Sequence, residues 1–242
     1  MEQLKENLLH KGASLVGFAK LQGTYNKIEE LEVSASNLDK DYRNTFQYPF
    51  GIAIAVKVPK EVIKGISDGP TNDYYNAYHD INDKLDEIAM YCEEYLTSKG
   101  YHAYAQTVDR VKEYGIYNTI MPHKTVAVRA GIGWIGKSAL LVTPEFGSAV
   151  RLTSVLTDAP LTVNEITQDS PCKKCNVCKE ACPAHAVVGN VWRQGVERDY
   201  IFNALKCRET ARKIAKQAIG KEVTLCGKCI VSCPFTQRYL KG

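Results

Sequence analysis

The cysteines of this sequence have the residue type and the spacing for a distinctive chemistry. Four of them lie in the segment 171–183, which reads P-C-K-K-C-N-V-C-K-E-A-C-P. A second set contains one isolated cysteine followed by a C-x2-C-x3-C run, and both runs end with proline. Thiolates at the C-x2-C-x2-C-x3-C-P spacing hold [4Fe–4S] clusters, each with four ligands. The sequence therefore predicts two clusters with eight ligands, which are Cys172, Cys175, Cys178, Cys182, Cys207, Cys226, Cys229 and Cys233.

The spacing also predicts which cysteines share a cluster. In bacterial two-cluster ferredoxins the fourth cysteine of the run ligates the other cluster. The predicted ligand sets are therefore Cys172, Cys175 and Cys178 with Cys233, and Cys182 with Cys207, Cys226 and Cys229. The alternative is a pair of four-cysteine zinc sites, although these usually contain two C-x2-C knuckles. Two clusters held close together would pass single electrons in sequence.

Composition and charge set the class of protein. The 242 residues, 45% hydrophobic and 24% charged, are typical of a globular chain. The N-terminal residues do not resemble a secretion signal, and nine cysteines without one favour metal ligation over disulfides. We therefore expect a cytoplasmic protein without a membrane span. Residues 161–242 carry 14 Lys and Arg against 7 Asp and Glu. This excess could attract an anionic partner such as RNA, or it could offset the negative charge of the clusters.

The elements before the cysteines predict an α+β fold. We expect helices over 2–11, about 74–99 and 122–130, with Leu4, Leu8 and Leu9 on one side of the first. Apolar runs predict strands at 15–19, 49–58 and 101–108. Residues 139–142 and 149–157 are predicted to form a hairpin, and residues 21–47 show no clear pattern. Cys92 falls on the apolar stripe of the long helix and is interpreted as a core residue. We predict two domains, 1–160 and 161–242.

A glycine-rich stretch, A-G-I-G-W-I-G-K-S at 130–138, matches two nucleotide-binding patterns. It fits G-x-G-x-x-G and also G-x-x-x-x-G-K-S. A phosphate-binding loop follows a strand and opens a helix, whereas this stretch follows a predicted helix and precedes a predicted strand. A triphosphate or dinucleotide site therefore remains a weaker alternative.

The same stretch carries a family resemblance. The run AGIGWIGKSALLVTPEFGS, followed by LTSVLTDAPL and the two cysteine sets, resembles the epoxyqueuosine reductases over about residues 120–235. The resemblance implies a nitroreductase-like α/β core followed by a two-[4Fe–4S] ferredoxin-like module, as in the related corrinoid-dependent reductive dehalogenases. It also implies a bound cobalamin besides the clusters. The residues that would line the cobalamin are Gly131, Gly133, Trp134, Gly136, Lys137, Ser138, Val142 and Thr153.

Two departures from the family bear on activity. The longer members carry a C-terminal helical-repeat domain that helps grip tRNA, whereas this sequence stops at Gly242. Their catalytic aspartate corresponds to a position near Tyr117, where there is no acid. The candidates for proton delivery are then Tyr117, His123 and Asp109. A tyrosine can donate a proton when a neighbouring charge lowers its pKa from about 10.

Three functions follow from these features. The first is a reductase in which electrons pass through the clusters to a corrinoid that reduces a small or nucleoside-like substrate. The second is an electron-transfer or corrinoid-reducing protein with no substrate of its own. The third is an RNA-modifying enzyme, which would bind tRNA in a salt-dependent way. Each of the first two requires a low-potential electron donor such as a ferredoxin or flavodoxin.

Overall fold

The structure is a computed structural model that describes residues 1–21, 48–113, 117–119, 121–163 and 170–242. Its contacts divide the chain into two compact units. Unit 1 contains residues 1–56, 82–132 and 152–166, and unit 2 contains residues 57–81, 133–151 and 167–242. The predicted division at residue 160 stays a prediction.

A four-stranded sheet forms the centre of unit 1. Its strands are β1 (Leu15–Lys20), β2 (Phe50–Lys57), β3 (Ala103–Ala105) and β6 (Val150–Thr157), in the order β1-β2-β6-β3. β1 is antiparallel to β2, and β3 is antiparallel to β6. Ile52 and Ile54 on β2 are fully buried, as expected for an inner strand that is apolar on both faces.

Helices cover this sheet at close range. Helices α1 (Glu2–His10) and α4 (His123–Arg129) both contact β1. A Cβ atom added to Gly17 on β1 would lie 2.8 Å from the carbonyl oxygen of Ala130, which follows α4. Glycine at this strand position therefore allows the end of the helix to approach the sheet.

The remaining helices vary widely in length. Helix α3 (Asn72–Ser98) begins after Thr71, whose hydroxyl accepts from the Tyr74 N–H, and ends before Gly100 at φ +88°. Helix α6 (Ala204–Ile219) is capped by the side chain of Asn203. The shorter helices are α2 (Lys60–Gly65), α5 (Val177–Glu180), α7 (Lys228–Val231), α8 (Pro234–Lys241) and the 3-10 turn Arg198–Tyr200.

Unit 2 is built from short elements. A two-stranded antiparallel sheet pairs β4 (Trp134–Ile135) with β5 (Leu141–Val142). Helix α7 contacts α2, α5 and α8, and α8 also contacts α2. The Tyr239 hydroxyl on α8 donates to the Val58 carbonyl over 2.9 Å. The cysteine segments are thus packed against residues that lie more than a hundred positions earlier in the chain.

Most predicted elements are confirmed, and several details are wrong. Residues 139–142 and 149–157 do not form a hairpin, because β5 pairs with β4 while β6 joins the large sheet. The strand predicted at 101–108 has only three residues. Leu9 is 40% exposed, whereas Leu4 and Leu8 are buried. Most of the unassigned region 21–47 lies outside the described residues.

The described chain has a mixed α and β structure with a C-terminal cysteine-rich region. None of its described helices is long and apolar enough to cross a membrane.

Candidate metal centre

The eight clustered cysteines occupy two repeats of one local arrangement. In each repeat a short helix carries one cysteine in its first turn, and a second cysteine follows four residues later, directly before a proline. The first pair is Cys178 and Cys182, around α5, and the second is Cys229 and Cys233, around α7. The second cysteine of each pair lies two residues beyond the last helical residue, so the chain has left the helix before it reaches this cysteine.

The electrostatic neighbours of Cys178 define the first thiol group, which is Cys172, Cys175, Cys178 and Cys233. Burial, and after it the charges of Cys172, Cys233 and Cys175, raise the pKa of the Cys178 thiol to about 11. The group has the same members as the first predicted ligand set, and their shared binding of one cluster stays a prediction.

The second thiol group is Cys182, Cys207, Cys226 and Cys229. Burial, and after it the charges of Cys182 and Cys226, raise the pKa of Cys207 to about 11. Burial also raises the pKa of Cys226, against a hydrogen bond from the Lys228 backbone N–H. The pKa of Cys229 is raised chiefly by burial and then by the other cysteines of this group and Cys178. Buried thiols that repel one another's charge are stabilised as thiolates only when a cation lies among them.

A cavity adjoins each group within unit 2. The first cavity, of about 120 Å³, is lined by the first thiol group and by Cys229, Gly136, Lys137, Ser138, Val142, Ser148, Pro171, Pro234 and Phe235. The second cavity, of about 210 Å³, is lined by the second thiol group together with Tyr74, Tyr78, Arg151 and Lys228 among others. Among the described residues, no three His, Cys, Asp or Glu side chains form a site for a single metal ion.

Backbone N–H groups also point at the sulfur atoms. The Ala186 N–H donates to the Cys182 sulfur over 3.4 Å, and the Lys228 N–H bonds Cys226. Such bonds stabilise thiolate charge and contribute to the potential of a bound cluster. The donor set of eight cysteines, their division into fours and the adjoining cavities all fit two [4Fe–4S] clusters.

Four of the residues assigned to a cobalamin lie in or beside β4 and β5 in unit 2. A Cβ atom at Gly133 would meet the Val142 carbonyl oxygen at 2.3 Å, and one at Gly136 would meet the Val142 side chain at 2.8 Å. Trp134 is 9% exposed and stacks edge-on against Phe235, with ring centroids 4.8 Å apart. These glycines make room for a neighbouring strand, and Trp134 and Val142 are core residues. Gly136 and Val142 also line the first cavity.

The other four assigned residues differ among themselves. Lys137 and Ser138 are buried beside the first thiol group. In unit 1, the Thr153 hydroxyl donates to the Gln106 carbonyl over 3.1 Å. Gly131, at φ +71°, is the one with open space, because an added Cβ would meet no atom within 4 Å. The assignment of these eight residues to a corrinoid stays a prediction.

The proton-delivery candidates lie in unit 1. Tyr117 is half-buried at the unusual φ of +55°. His123 Nδ1 is 2.9 Å from the Ser154 hydroxyl, which also accepts from the Gln106 amide. Asp109 is exposed, and a hydrogen bond from the Thr107 hydroxyl lowers the pKa of its carboxyl. A carboxyl that is ionised at neutral pH is poorly suited to donate a proton. The roles of Tyr117, His123 and Asp109 stay predictions.

Parts of this sequence are similar to known proteins. Residues 171–236 match the 4Fe–4S double cluster binding domain. The epoxyqueuosine reductase of Pseudomonas aeruginosa is 30% identical over 114 residues, which are 47% of this chain and 31% of that enzyme. The one from Bacillus subtilis is 30% identical over 161 residues, which are 66% of this chain and 38% of that enzyme. The chain is epoxyqueuosine reductase-like.

Solved structures show the same fold for this epoxyqueuosine reductase-like chain. An epoxyqueuosine reductase bound to an epoxyqueuosine-modified tRNA stem loop matches with a TM-score of 0.61 and 23% identity, over 98% of this chain and 65% of that one. A reductive dehalogenase whose structure suggests a mechanism for B12-dependent dehalogenation matches with a TM-score of 0.73 and 18% identity. That match covers 96% of this chain and 31% of the dehalogenase. The aligned segments span well under half of the curated relatives' own length.

Two residues of the site are missed by sequence reasoning. Ser148 and Thr236 are buried in unit 2, where the Ser148 N–H donates to the Thr236 hydroxyl over 3.0 Å. This bond fixes the turn before β6 to the helix that follows Cys233. Neither residue belongs to a recognisable ligand motif, so only the fold brings them to the thiols.

Proposed function

We propose that this epoxyqueuosine reductase-like chain is an oxidoreductase that binds two [4Fe–4S] clusters and passes single electrons between them. The observation that carries the proposal is the division of eight thiols into two groups of four, each beside its own cavity. When bound, the clusters supply one-electron redox chemistry at low potential. A low-potential ferredoxin or flavodoxin is the class of electron donor that this chemistry requires.

The residues around the thiols have definable tasks. The cysteines bind iron, and the prolines after Cys182 and Cys233 remove a backbone N–H at the end of each run. Phe235 and Val142 line the first cavity with apolar surface and limit the access of water. Exclusion of water strengthens every charge interaction at the site and protects bound iron.

Iron and sulfide analysis tests the proposal directly. Anaerobically purified protein should contain about eight irons and eight sulfides per chain, and reduction should produce the paramagnetic signals of two coupled clusters. Four irons, or zinc in place of iron, would contradict the proposal. Replacement of Cys92, which is fully buried on α3, serves as the control because it should leave the iron content unchanged.

A corrinoid-dependent reduction of a small or nucleoside-like substrate is the second candidate. It is supported by the likeness to the B12-dependent dehalogenase structure, together with the nitroreductase-like core that the family resemblance implies. It is opposed by the packing of Gly133, Trp134 and Gly136 against their own unit. Purification with cobalamin supplied distinguishes the two candidates, since about one cobalt per chain supports corrinoid binding and none leaves an electron carrier. Salt-dependent binding of tRNA in a binding assay would support an RNA substrate for this second candidate.

A further inference from the structure

Lys137 is a buried cation beside the first thiol group. Lys137 is 4% exposed, and it lines the first cavity together with Cys172, Cys175 and Cys178. Its Nζ donates one hydrogen bond over 3.1 Å to Oδ1 of Asn176, which lies between the second and third cysteines of the run. Within the described part of the chain, no carboxylate forms an ion pair with Lys137.

Burial of an ammonium group is costly unless an anion compensates it. The Asn176 amide is neutral and satisfies only one of the three N–H donors of the lysine. Four thiolates around a cubane core carry net negative charge, and they would occupy the cavity that Lys137 lines. The lysine and the bound cluster would therefore neutralise each other.

Ser148 offers a second donor to the same cavity. The residue is 4% exposed, and among the described residues its hydroxyl has no hydrogen-bond partner. The Ser148 backbone N–H donates to the Thr236 hydroxyl over 3.0 Å, and this bond fixes the position from which the serine side chain extends. A buried hydroxyl without a partner is unfavourable, and its hydrogen can rotate toward an acceptor. The cysteine sulfur atoms that line this cavity, and the sulfur atoms of a cluster bound to them, would be acceptors for this hydroxyl.

We infer that Lys137 and Ser148 form a donor pair that hydrogen-bonds the sulfur atoms of the cluster held by the first thiol group and raises its reduction potential. One-electron reduction adds a negative charge to the cluster, and both donors interact more strongly with the reduced form than with the oxidised form. The inference rests on the proposed function, because it requires a cluster at Cys172, Cys175, Cys178 and Cys233.

Redox titration of the full-length holoprotein, followed by electron paramagnetic resonance, tests this inference. Four variants are compared: K137Q, K137R, S148A and the control K174Q. Lys174 is exposed within the same cysteine run, so its replacement removes the same charge from a screened position. K137Q should favour the oxidised form of one cluster by about tenfold, which is about 59 mV for a one-electron couple. S148A should lower the potential of the same cluster by less, and K137R and K174Q should leave it near the wild-type value.

The outcomes separate this inference from the proposed function. Wild-type protein without iron would overturn the proposed function. About eight irons with unchanged potentials in both K137Q and S148A would overturn the inference alone. If the K137Q variant loses iron, the reduction potential of the S148A variant tests the inference, because the small change from Ser to Ala should leave the cluster bound. An S148A variant with full iron content and a wild-type potential would then refute the donor pair.

Discussion

Cys178 and Cys182 are four residues apart around the same short helix, yet they belong to different thiol groups. The charges that raise the pKa of Cys178 come from Cys172, Cys233 and Cys175, whereas Cys182 acts on Cys207 and Cys226. The helix Val177–Glu180 therefore links the two groups covalently over one turn. Such a short link suits the transfer of single electrons from one group to the other.

Paired cysteine replacements test this exchange of ligands. C182A/C207A removes two cysteines of the second group, so the first cluster should survive and the protein should retain about four irons per chain. C172A/C182A removes one cysteine from each group, so it should retain almost no cubane iron. Iron and sulfide content after anaerobic purification is the measurement.

The opposite result would contradict the exchange. If each run held its own cluster without exchange, C172A/C182A would retain about four irons and C182A/C207A almost none. C92A is the matched control, since Cys92 is a fully buried cysteine on the long helix and should leave about eight irons in place.

The predicted ligand sets rest on information that is local in the sequence, and the match of residues 171–236 to a 4Fe–4S double cluster binding domain agrees with the cluster type. Three cysteines within seven residues supply three of the four ligands of one cluster, and the exchange rule assigns the fourth ligand. Strand pairing could not be predicted in the same way. The predicted hairpin failed because the close approach of Gly133 to the Val142 carbonyl brings β4 beside β5, and this contact depends on the conformation of the turn between them.

Lys137 shows a different limit of sequence reasoning. The pattern G-K-S suggested a ligand-binding lysine, and the family resemblance assigned it to a corrinoid. The structure places its amine against Asn176, within the cysteine run. The orphaned hydroxyl of Ser148 could not be inferred at all, because an absent hydrogen bond is visible only in three dimensions.

Gly147 should be indispensable for packing around Cys233. Its φ is +58°, and a Cβ atom would lie 2.2 Å from the backbone nitrogen of Thr236. We expect G147A to lower the free energy of unfolding by about 3 kcal/mol or more, because left-handed backbone strain and overpacking add. Denaturant unfolding of the anaerobic holoprotein measures the loss, and iron analysis should show weaker retention of the first cluster.

The matched control for this substitution is G195A. Gly195 has a φ of +84°, but an added Cβ would meet no atom within 4 Å. Backbone strain alone should cost about 1–2 kcal/mol there. Equal losses in G147A and G195A would show that the contact with Thr236 is unimportant.

Ser154 should determine the tautomer of His123. The Gln106 amide donates to the Ser154 hydroxyl oxygen over 2.6 Å, so the hydroxyl hydrogen can be donated to His123 Nδ1, 2.9 Å away. His123 would then carry its proton on Nε2. In nitrogen NMR of the oxidised holoprotein we expect this single tautomer, and S154A should produce a mixture of tautomers.

S154A should also destabilise the protein. Ser154 is fully buried, and its removal leaves the Gln106 amide without its partner. We expect a loss of about 2 kcal/mol in the free energy of unfolding. S98A, at an exposed serine on α3, should change it by less than about 0.5 kcal/mol. An unchanged His123 signal in S154A would rule out the serine as its hydrogen donor.

Removal of iron should unfold unit 2 and leave unit 1 folded. Of the twelve large side chains that are fully buried among the described residues, nine lie in unit 1, including Ile52, Leu85 and Leu156. The buried cluster of Cys182, Ala186 and Val187 in unit 2 is small, and partly buried side chains such as Phe202 pack against it. Because a small apolar core stabilises weakly, metal binding must supply much of the stability of unit 2.

Hydrogen exchange before and after anaerobic chelation measures this difference. Amides of helices α5 and α7 should lose at least tenfold in protection, which corresponds to about 1.4 kcal/mol, whereas those of β2 should change little. The same incubation without chelator is the control. Equal loss of protection in β2 and α7 would show that the two units unfold together, and no loss in either would show that the thiol groups are held by packing alone.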